Sequence, residues 1–262
     1  MNASLSGRRG DTQLLPNPPT RVDYGSVSLC GPRPRNEDCV IEIPEWGVFG
    51  VCDGMGGHQG GSEASHMVAD GVVASLKQAR HALPQFGLED MIHRITAAAL
   101  DAAHAIQAWA IQHSVSAVGS TLAVLVYPRM GESSLALLHA GDSLAFRVRG
   151  DQIACAYKPH NLETLLGQEA ADLPLRQRRA ITRAIDHRAD VQLDITRMDV
   201  RSGDAWMICT DGVSEPLDME TLRNLLRDHR PNGARAAAAS IAHAALAVGG
   251  HDNSSAVVLY MD

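Results

Sequence analysis

No run of this chain approaches the roughly 18 consecutive apolar residues that span a bilayer. The alanine-rich stretch 234–248 comes nearest, and Arg235, Ser240 and His243 interrupt it. The first residues lack the apolar core of a secretory signal. There is no Cys-x-x-Cys and no His-Glu-x-x-His, so the common zinc arrangements are missing. The five cysteines are scattered: Cys30, Cys52, Cys155 and Cys209 lie in strand-like apolar segments, and Cys39 stands at a strand start. That odd, dispersed set reads as reduced core residues of a cytoplasmic protein. Positive charge is also short. With 23 Lys and Arg against 30 Asp and Glu, the net charge of −7 argues against a nucleic-acid binder. No internal repeat is visible, and no Pro/Ser-rich linker interrupts the chain after residue 21. Its 262 residues are therefore read as a polar, Pro-containing flexible tail over 1–20 and one domain over 21–262.

What is present is a repeated placement of aspartate. The apolar run 47–52 ends in Asp53-Gly54-Met55-Gly56-Gly57-His58, which reads as a buried strand delivering a carboxylate to its tip. The run 206–210 ends in Asp211-Gly212, and 138–141 ends in Asp142-Ser143. Asp252-Asn253 mirrors the pattern, standing just before the apolar run 256–260. A single Asp-Gly is a turn. Four carboxylates at strand tips are costly without a counter-charge and imply an embedded cation. Oxygen-only donors select Mg2+ or Mn2+ rather than zinc. A carboxylate shared by two such ions lets a bridging water lose its proton near neutral pH and attack a phosphorus in line. Glycine beside the aspartate allows close approach of backbone and water.

Upstream lies Gly31-Pro32-Arg33-Pro34-Arg35-Asn36-Glu37-Asp38. A guanidinium here can hold two phosphate oxygens at once, and Glu37 and Asp38 can accept hydrogen bonds from ion-bound water. Read alone, the segment is a solvated charged turn.

Taken in order, Arg33 with Glu37-Asp38, Val51 to His58 with Gly61 and Ala64-Ser65, Gly119-Ser120-Thr121, Gly141-Asp142-Ser143, Thr210-Asp211-Gly212 and Asp252-Asn253 resemble the metal-dependent protein phosphatases. The chain looks like a bacterial member of the protein phosphatase 2C (PPM) family over residues 21–261. The resemblance implies an α+β fold, a four-layer αββα sandwich of two antiparallel sheets flanked by helices. It implies two Mn2+ or Mg2+ ions with a third, weaker position. Asp53 would be shared between the two ions, with Gly54 offering its carbonyl to one and Asp211 and Asp252 completing the shell of the other. Asp142 would join Asp211 at the third position, and Arg33 would bind the substrate phosphate. The implied activity is hydrolysis of phosphoserine and phosphothreonine in proteins by an ion-bridging hydroxide, opposing a bacterial Ser/Thr kinase. The expected partner is a phosphorylated protein, such as that kinase or its target, with no nucleic acid and no membrane; the chain is expected to be a cytoplasmic monomer. A non-catalytic relative that binds phosphoproteins, and a small-molecule phosphohydrolase, are the alternatives.

Several positions depart from the family pattern. Lys158-Pro159-His160-Asn161 stands in place of an Asp-His-Ser, Leu144 in place of an arginine, and Asp186 in place of a glycine. All flank a segment, 162–188, read as a substrate-shaping flap. Its Arg176, Arg178, Arg179, Arg183 and Arg188 suit either a phosphorylated substrate or, by a slight preference, a solvated face. His58 is read as shaping the glycine turn, and Ser120 and Thr121 as packing beneath the site.

Periodicity predicts strands over 24–30, 39–43, 47–52, 120–127, 134–140, 145–149, 152–156, 192–199, 205–210 and 255–261. Helices are predicted over 64–76, 88–109, 219–228 and 234–248.

Overall fold

Strands that are apolar at every position, yet antiparallel, must bury both faces. That is what the computed structural model gives over the residues it describes, 19–56, 60–79, 87–127 and 133–262. Twelve strands and seven α-helices are found among the described residues. In chain order the strands are β1 (Val22–Leu29), β2 (Asp38–Ile43), β3 (Val48–Met55), β4 (Gly119–Ser120), β5 (Leu122–Val126), β6 (Ser134–Ala140), β7 (Leu144–Arg149), β8 (Gln152–Cys155), β9 (Ile185–Asp186), β10 (Asp194–Asp199), β11 (Ala205–Cys209) and β12 (Ser254–Met261). The helices are α1 (Gly60–Gln78), α2 (Leu88–His113), α3 (Leu162–Leu166), α4 (Leu175–Arg178), α5 (Asp211–Ser214), α6 (Met219–Asp228) and α7 (Ala234–Ala247).

Two sheets result, and every strand pair is antiparallel. One runs β1-β12-β11-β7-β8; the other runs β10-β6-β5-β3-β4-β9, with β2 on the free side of β3. The period of two in a strand sorts the side chains into separate cores. In β12, Val257, Leu259 and Met261 meet Phe49, Leu125, Leu137 and Trp206 between the sheets. Ala256, Val258 and Tyr260 point the other way, onto α6 and α7. In β6, Leu135 and Leu137 face the inter-sheet core, while Ala136 and Leu138 face α1 and α2. Three cores between four layers make the αββα sandwich. Each fully buried Leu or Ile in them contributes about 1.5–3 kcal/mol by leaving water.

The long helices follow from apolar periodicity. α2 buries Met91, Ile95, Ala99, Ala102 and Ile106 on one face and begins where the Gly87 N–H donates to Asp90 Oδ2 at 2.9 Å. In α7 the alanines serve close approach: a Cβ on Gly25 of β1 would meet the Arg235 backbone.

Some sequence expectations shift. β3 runs on to Met55, so Asp53 and Gly54 lie inside the strand rather than beyond it. Residues 192 and 193 precede β10 rather than starting it. Cys52 and Cys209 are core residues, whereas Cys155 sits exposed on edge strand β8, and Cys30 and Cys39 are part-buried. Edge position exposes a side chain that would be covered in a central strand. Of the tail expected over 1–20, residues 1–18 lie outside the described residues, as does the glycine turn at Gly57 and His58, while the Thr20 N–H donates to the Asp262 carbonyl at 2.7 Å.

Candidate active site

The carboxylates converge because of register. Asp38 pairs with Asp53 across β2 and β3, which sets two acids side by side at one end of the seven-stranded sheet. In the other sheet Cys209 pairs with Leu144 and with Ala256. Continuing two residues past the Cys209–Leu144 pair sets Asp211 opposite Asp142, with Asp252 just before β12 on the other flank. The two sheets bring these ends together at one edge of the sandwich.

Asp53 is anchored through its backbone. Its N–H donates to Thr121 Oγ1 at 2.9 Å, and its carbonyl accepts from the Thr121 N–H at 2.8 Å. Thr121 Oγ1 also lies 2.7 Å from Ser143 Oγ, so one buried hydroxyl joins β3 to the loop that carries Asp142. Ser120 and Thr121 are fully buried beneath the site, as the sequence suggested. Gly54 passes so close to α1 that a Cβ there would overlap the Gly61 carbonyl, and one on Gly212 would overlap the Asn253 carbonyl. Both positions require glycine.

Charge is concentrated to an unusual degree. Burial pushes the Asp53 carboxyl well above its ordinary range, and Asp38, Asp211, Asp142 and Asp252 push it further. Asp38 is raised to about 7 by burial, against hydrogen bonds from Ser255 and Thr210 and with added repulsion from Asp211 and Asp252. Thr210 Oγ1 donates to Asp38 Oδ2 at 2.9 Å. Asp142 is raised to about 7 by burial and then by Asp211. Asp211 is raised by burial and by Asp252, with a hydrogen bond shared with Asp53 opposing the shift. Asp142 Oδ1 is buried without a hydrogen-bond partner. Acids that repel one another in a closed space, one with an orphaned oxygen, fit a set of hard divalent cations held by oxygen donors.

The flanking loop also arrives. The Glu37 carbonyl accepts from the Gly54 N–H at 3.1 Å, and the Glu37 N–H donates to Asn253 Oδ1 at 2.8 Å. Asn253 in turn donates to the carbonyls of Cys30 and Arg35 at 2.8 and 2.9 Å. The Glu37 carboxylate lies against Gly61, where α1 begins. Arg33 is exposed at the rim; its Nη2 donates to Asp252 Oδ2 at 2.6 Å and its Nε to the His251 carbonyl at 3.1 Å.

Four arginines of the basic segment are ion-paired, two within the segment and two to residues beyond it. Arg178 pairs with Glu163, Arg183 with Asp194 and Arg188 with Asp186, while Arg179 pairs with Glu215. The sequence slightly favoured a solvated face; here ion pairs engage these four charges. Glu215 was not foreseen from the sequence. Burial and then Asp211 raise its carboxyl, and it links the flap to the acidic cleft through Arg179. Only its position four residues after Asp211, one helical turn on, signalled it.

Carboxylates gathered at the common edge of two stacked antiparallel sheets make a candidate hard-cation site on an αββα sandwich. Residues 36–247 match the family Protein phosphatase 2C, and the chain belongs to that family. It is 30% identical over 244 residues to the serine/threonine protein phosphatase PstP of Mycobacterium tuberculosis, covering 91% of this chain and 43% of PstP. The chain thus spans less than half the length of that relative. Among solved structures it is similar to PppA of Pseudomonas aeruginosa, a key regulatory component of T6SS, with a TM-score of 0.80 and 26% identity over 94% of this chain and all of that one. It is also similar to the catalytic domain of PstP in complex with two manganese ions, with a TM-score of 0.74 and 26% identity over 91% of this chain and 97% of that one. No helix among the described residues is long and apolar enough to cross a membrane.

Proposed function

We propose that this chain is a metal-dependent protein-serine/threonine phosphatase whose catalytic domain spans residues 21–262. The observation that carries the reading is the set of mutually repelling aspartates, Asp53, Asp142, Asp211 and Asp252, at one edge of the sandwich. The PstP catalytic domain with its two manganese ions supports Mn2+ or Mg2+ as the cofactor.

Asp53 would be shared between two ions, with the Gly54 carbonyl on one and Asp211 and Asp252 on the other; Asp142 with Asp211 would hold a third. Bound ions supply Lewis acidity and an activated water for attack on phosphorus. The chain's own residues supply the rest. Thr121 keeps Asp53 in place through its backbone. Asp38, fixed by Thr210, and Glu37, whose backbone is held by Asn253 and Gly54, would orient water around bound ions. Arg33 presents a planar guanidinium at the open rim, where a phosphate arriving from solvent meets it first. In this structure it is ion-paired with Asp252, which a bound cation would otherwise hold.

The substrate class is a phosphoserine or phosphothreonine protein, with a Ser/Thr kinase or its target as the partner. The likeness to PstP and to a regulatory component of a secretion system supports a signalling role. We read the chain as a cytoplasmic monomer. The complete aspartate set speaks against a non-catalytic binder, which has no use for every ligand.

The test is turnover of a phosphothreonine peptide, an aryl phosphate and a panel of phosphorylated metabolites in Mn2+ or Mg2+, then in chelator. Peptide and aryl phosphate turnover that vanishes with the metal is expected. Undiminished turnover without metal contradicts the reading, and turnover confined to metabolites overturns the protein substrate.

A further inference from the structure

The loop Gly141-Asp142-Ser143 is held from two sides. From beneath, the Thr121 side chain fills the space a Cβ on Gly141 would need, at a backbone φ of 113° that also favours glycine. From above, His160 grips both polar atoms of the Gly141 backbone. The His160 N–H donates to the Gly141 carbonyl at 2.8 Å, and the Gly141 N–H donates to His160 Nδ1 at 3.2 Å.

Arg183 Nη1 also lies 3.3 Å from His160 Nε2, but it already donates to Asp194 Oδ1, so the bond from Gly141 sets the tautomer. A main-chain N–H only donates, so Nδ1 carries a lone pair and the proton of the neutral ring is on Nε2. From Nε2 it is donated to Asp194 Oδ2 at 3.1 Å, at the start of β10. Arg183 donates to the other oxygen of Asp194, and the His160 carbonyl accepts from the Thr182 N–H at 2.9 Å. One residue therefore spans from the Asp142 loop to β10 through its ring, and from that loop to the flap through its main chain.

His139, His160 and Asp194 bring three ligand-type atoms within 4.8 Å of one another, which invites a metal-site reading. The tautomer argues against it, because His160 Nε2 holds a proton while Gly141 is bonded to Nδ1. The rings of His139 and His160 are stacked, 4.4 Å between centroids and 12° between planes, so their in-plane lone pairs do not converge on one ion. Arg183 already supplies the positive charge beside Asp194. His139, stacked between Tyr157 and His160 and held by burial at about 4, is a neutral spacer.

We propose that His160 is a positioning residue, which sets the direction of the Asp142 carboxylate by clamping Gly141 and couples it to the flap. The Asp142 carboxyl favours this: Oδ1 is orphaned and the carboxyl is hydrogen-bonded by the main chain of Asp142 itself, so the backbone of the loop sets its direction. The inference rests on the proposed reading of Asp142 as an ion ligand.

Three substitutions separate the two ends of the clamp. His160→Asn keeps an acceptor near the place of Nδ1; His160→Gln reaches towards Asp194 but offers the Gly141 N–H nothing; His160→Ala removes both ring contacts, and all three keep the main-chain bond from residue 160 to the Gly141 carbonyl. Each is made alone and with Asp142→Ala, and three quantities are read: hydrogen exchange of the Gly141 amide, calorimetric Mn2+ binding, and peptide turnover. Protected amides in β5 and β6 report that the fold is intact. We expect Gly141 exchange to accelerate in the Gln and Ala variants and to stay wild-type-like in Asn. The weakest Mn2+ site should lose about tenfold in affinity in the same two variants, as for other residues that orient metal ligands. With Asp142→Ala present, His160→Ala should change Mn2+ binding no further.

Equal damage by Asn and Ala, or full additivity with Asp142→Ala, overturns the proposal. Mn2+ binding untouched by Asp142→Ala overturns its link to an ion. An inactive wild-type chain would instead sink the phosphatase reading, while the exchange and Mn2+ arms still decide the clamp.

Discussion

Asp252 is shared between two demands. In this structure its carboxylate is bonded to Arg33, yet the proposed function gives it to an ion. On that proposal guanidinium and metal would compete for it, and Arg33 would be free to meet a phosphate once a cation held Asp252. Arg33→Ala should raise the Michaelis constant by the equivalent of about 2–4 kcal/mol of charged contact, with Mn2+ half-saturation unchanged or lower. Steady-state kinetics across a Mn2+ titration measures both; wild-type kinetics would leave Arg33 a surface charge and make Arg35 the next candidate. The four aspartates were legible in the sequence because each ends or begins an apolar run. Their supports were not. Thr210 on Asp38, Asn253 on Glu37 and Arg179 on Glu215 join residues far apart in the chain, and no local spacing announces such pairs.

At the scale of the element, β3 and the broken strand β4–β5 decide whether Asp53 stands where it should. Thr121 interrupts that strand, and its hydroxyl serves both the Asp53 N–H and Ser143. Thr121→Val keeps the volume but leaves a buried donor unpaired, at a cost of about 1–3 kcal/mol. Urea unfolding should show that loss, with turnover falling more than stability alone explains. A fully active, equally stable variant would show that the hydroxyl supports nothing. The long strands and helices were readable because apolar side chains recur at their periods. The two-residue β9 and the short α3, α4 and α5 were not. Elements that short carry no period, and α3, α4 and β9 are placed by tertiary pairs such as Gly119 with Asp186 and Arg178 with Glu163.

The whole molecule holds its acids at the expense of stability when no cation is bound. A carboxyl whose pKa rises on folding stabilises the fold below its unfolded value and withdraws that stability as the pH climbs to the folded value. Asp38 and Asp142, each raised from 3.8 to about 7, make the metal-free protein lose stability between about pH 4 and pH 7. The loss is on the order of a few kcal/mol. In chelator the melting temperature should fall across that window, and saturating Mn2+ should flatten the decline, because metal binding displaces the protons. A melting temperature that rises from pH 4 to pH 7 in chelator would contradict the charge arrangement. The most direct test of the account removes one charge from its centre. Asp53→Asn keeps the shape of the side chain and takes away the charge shared by the ions. Mn2+ binding by calorimetry and peptide turnover should then fall together, turnover by at least about a hundredfold. The metal-free variant should melt no lower than wild type, since Asp53 no longer repels Asp38 and Asp211. An Asp53→Asn protein that binds Mn2+ and turns over peptide as the wild type does would contradict the account at its core.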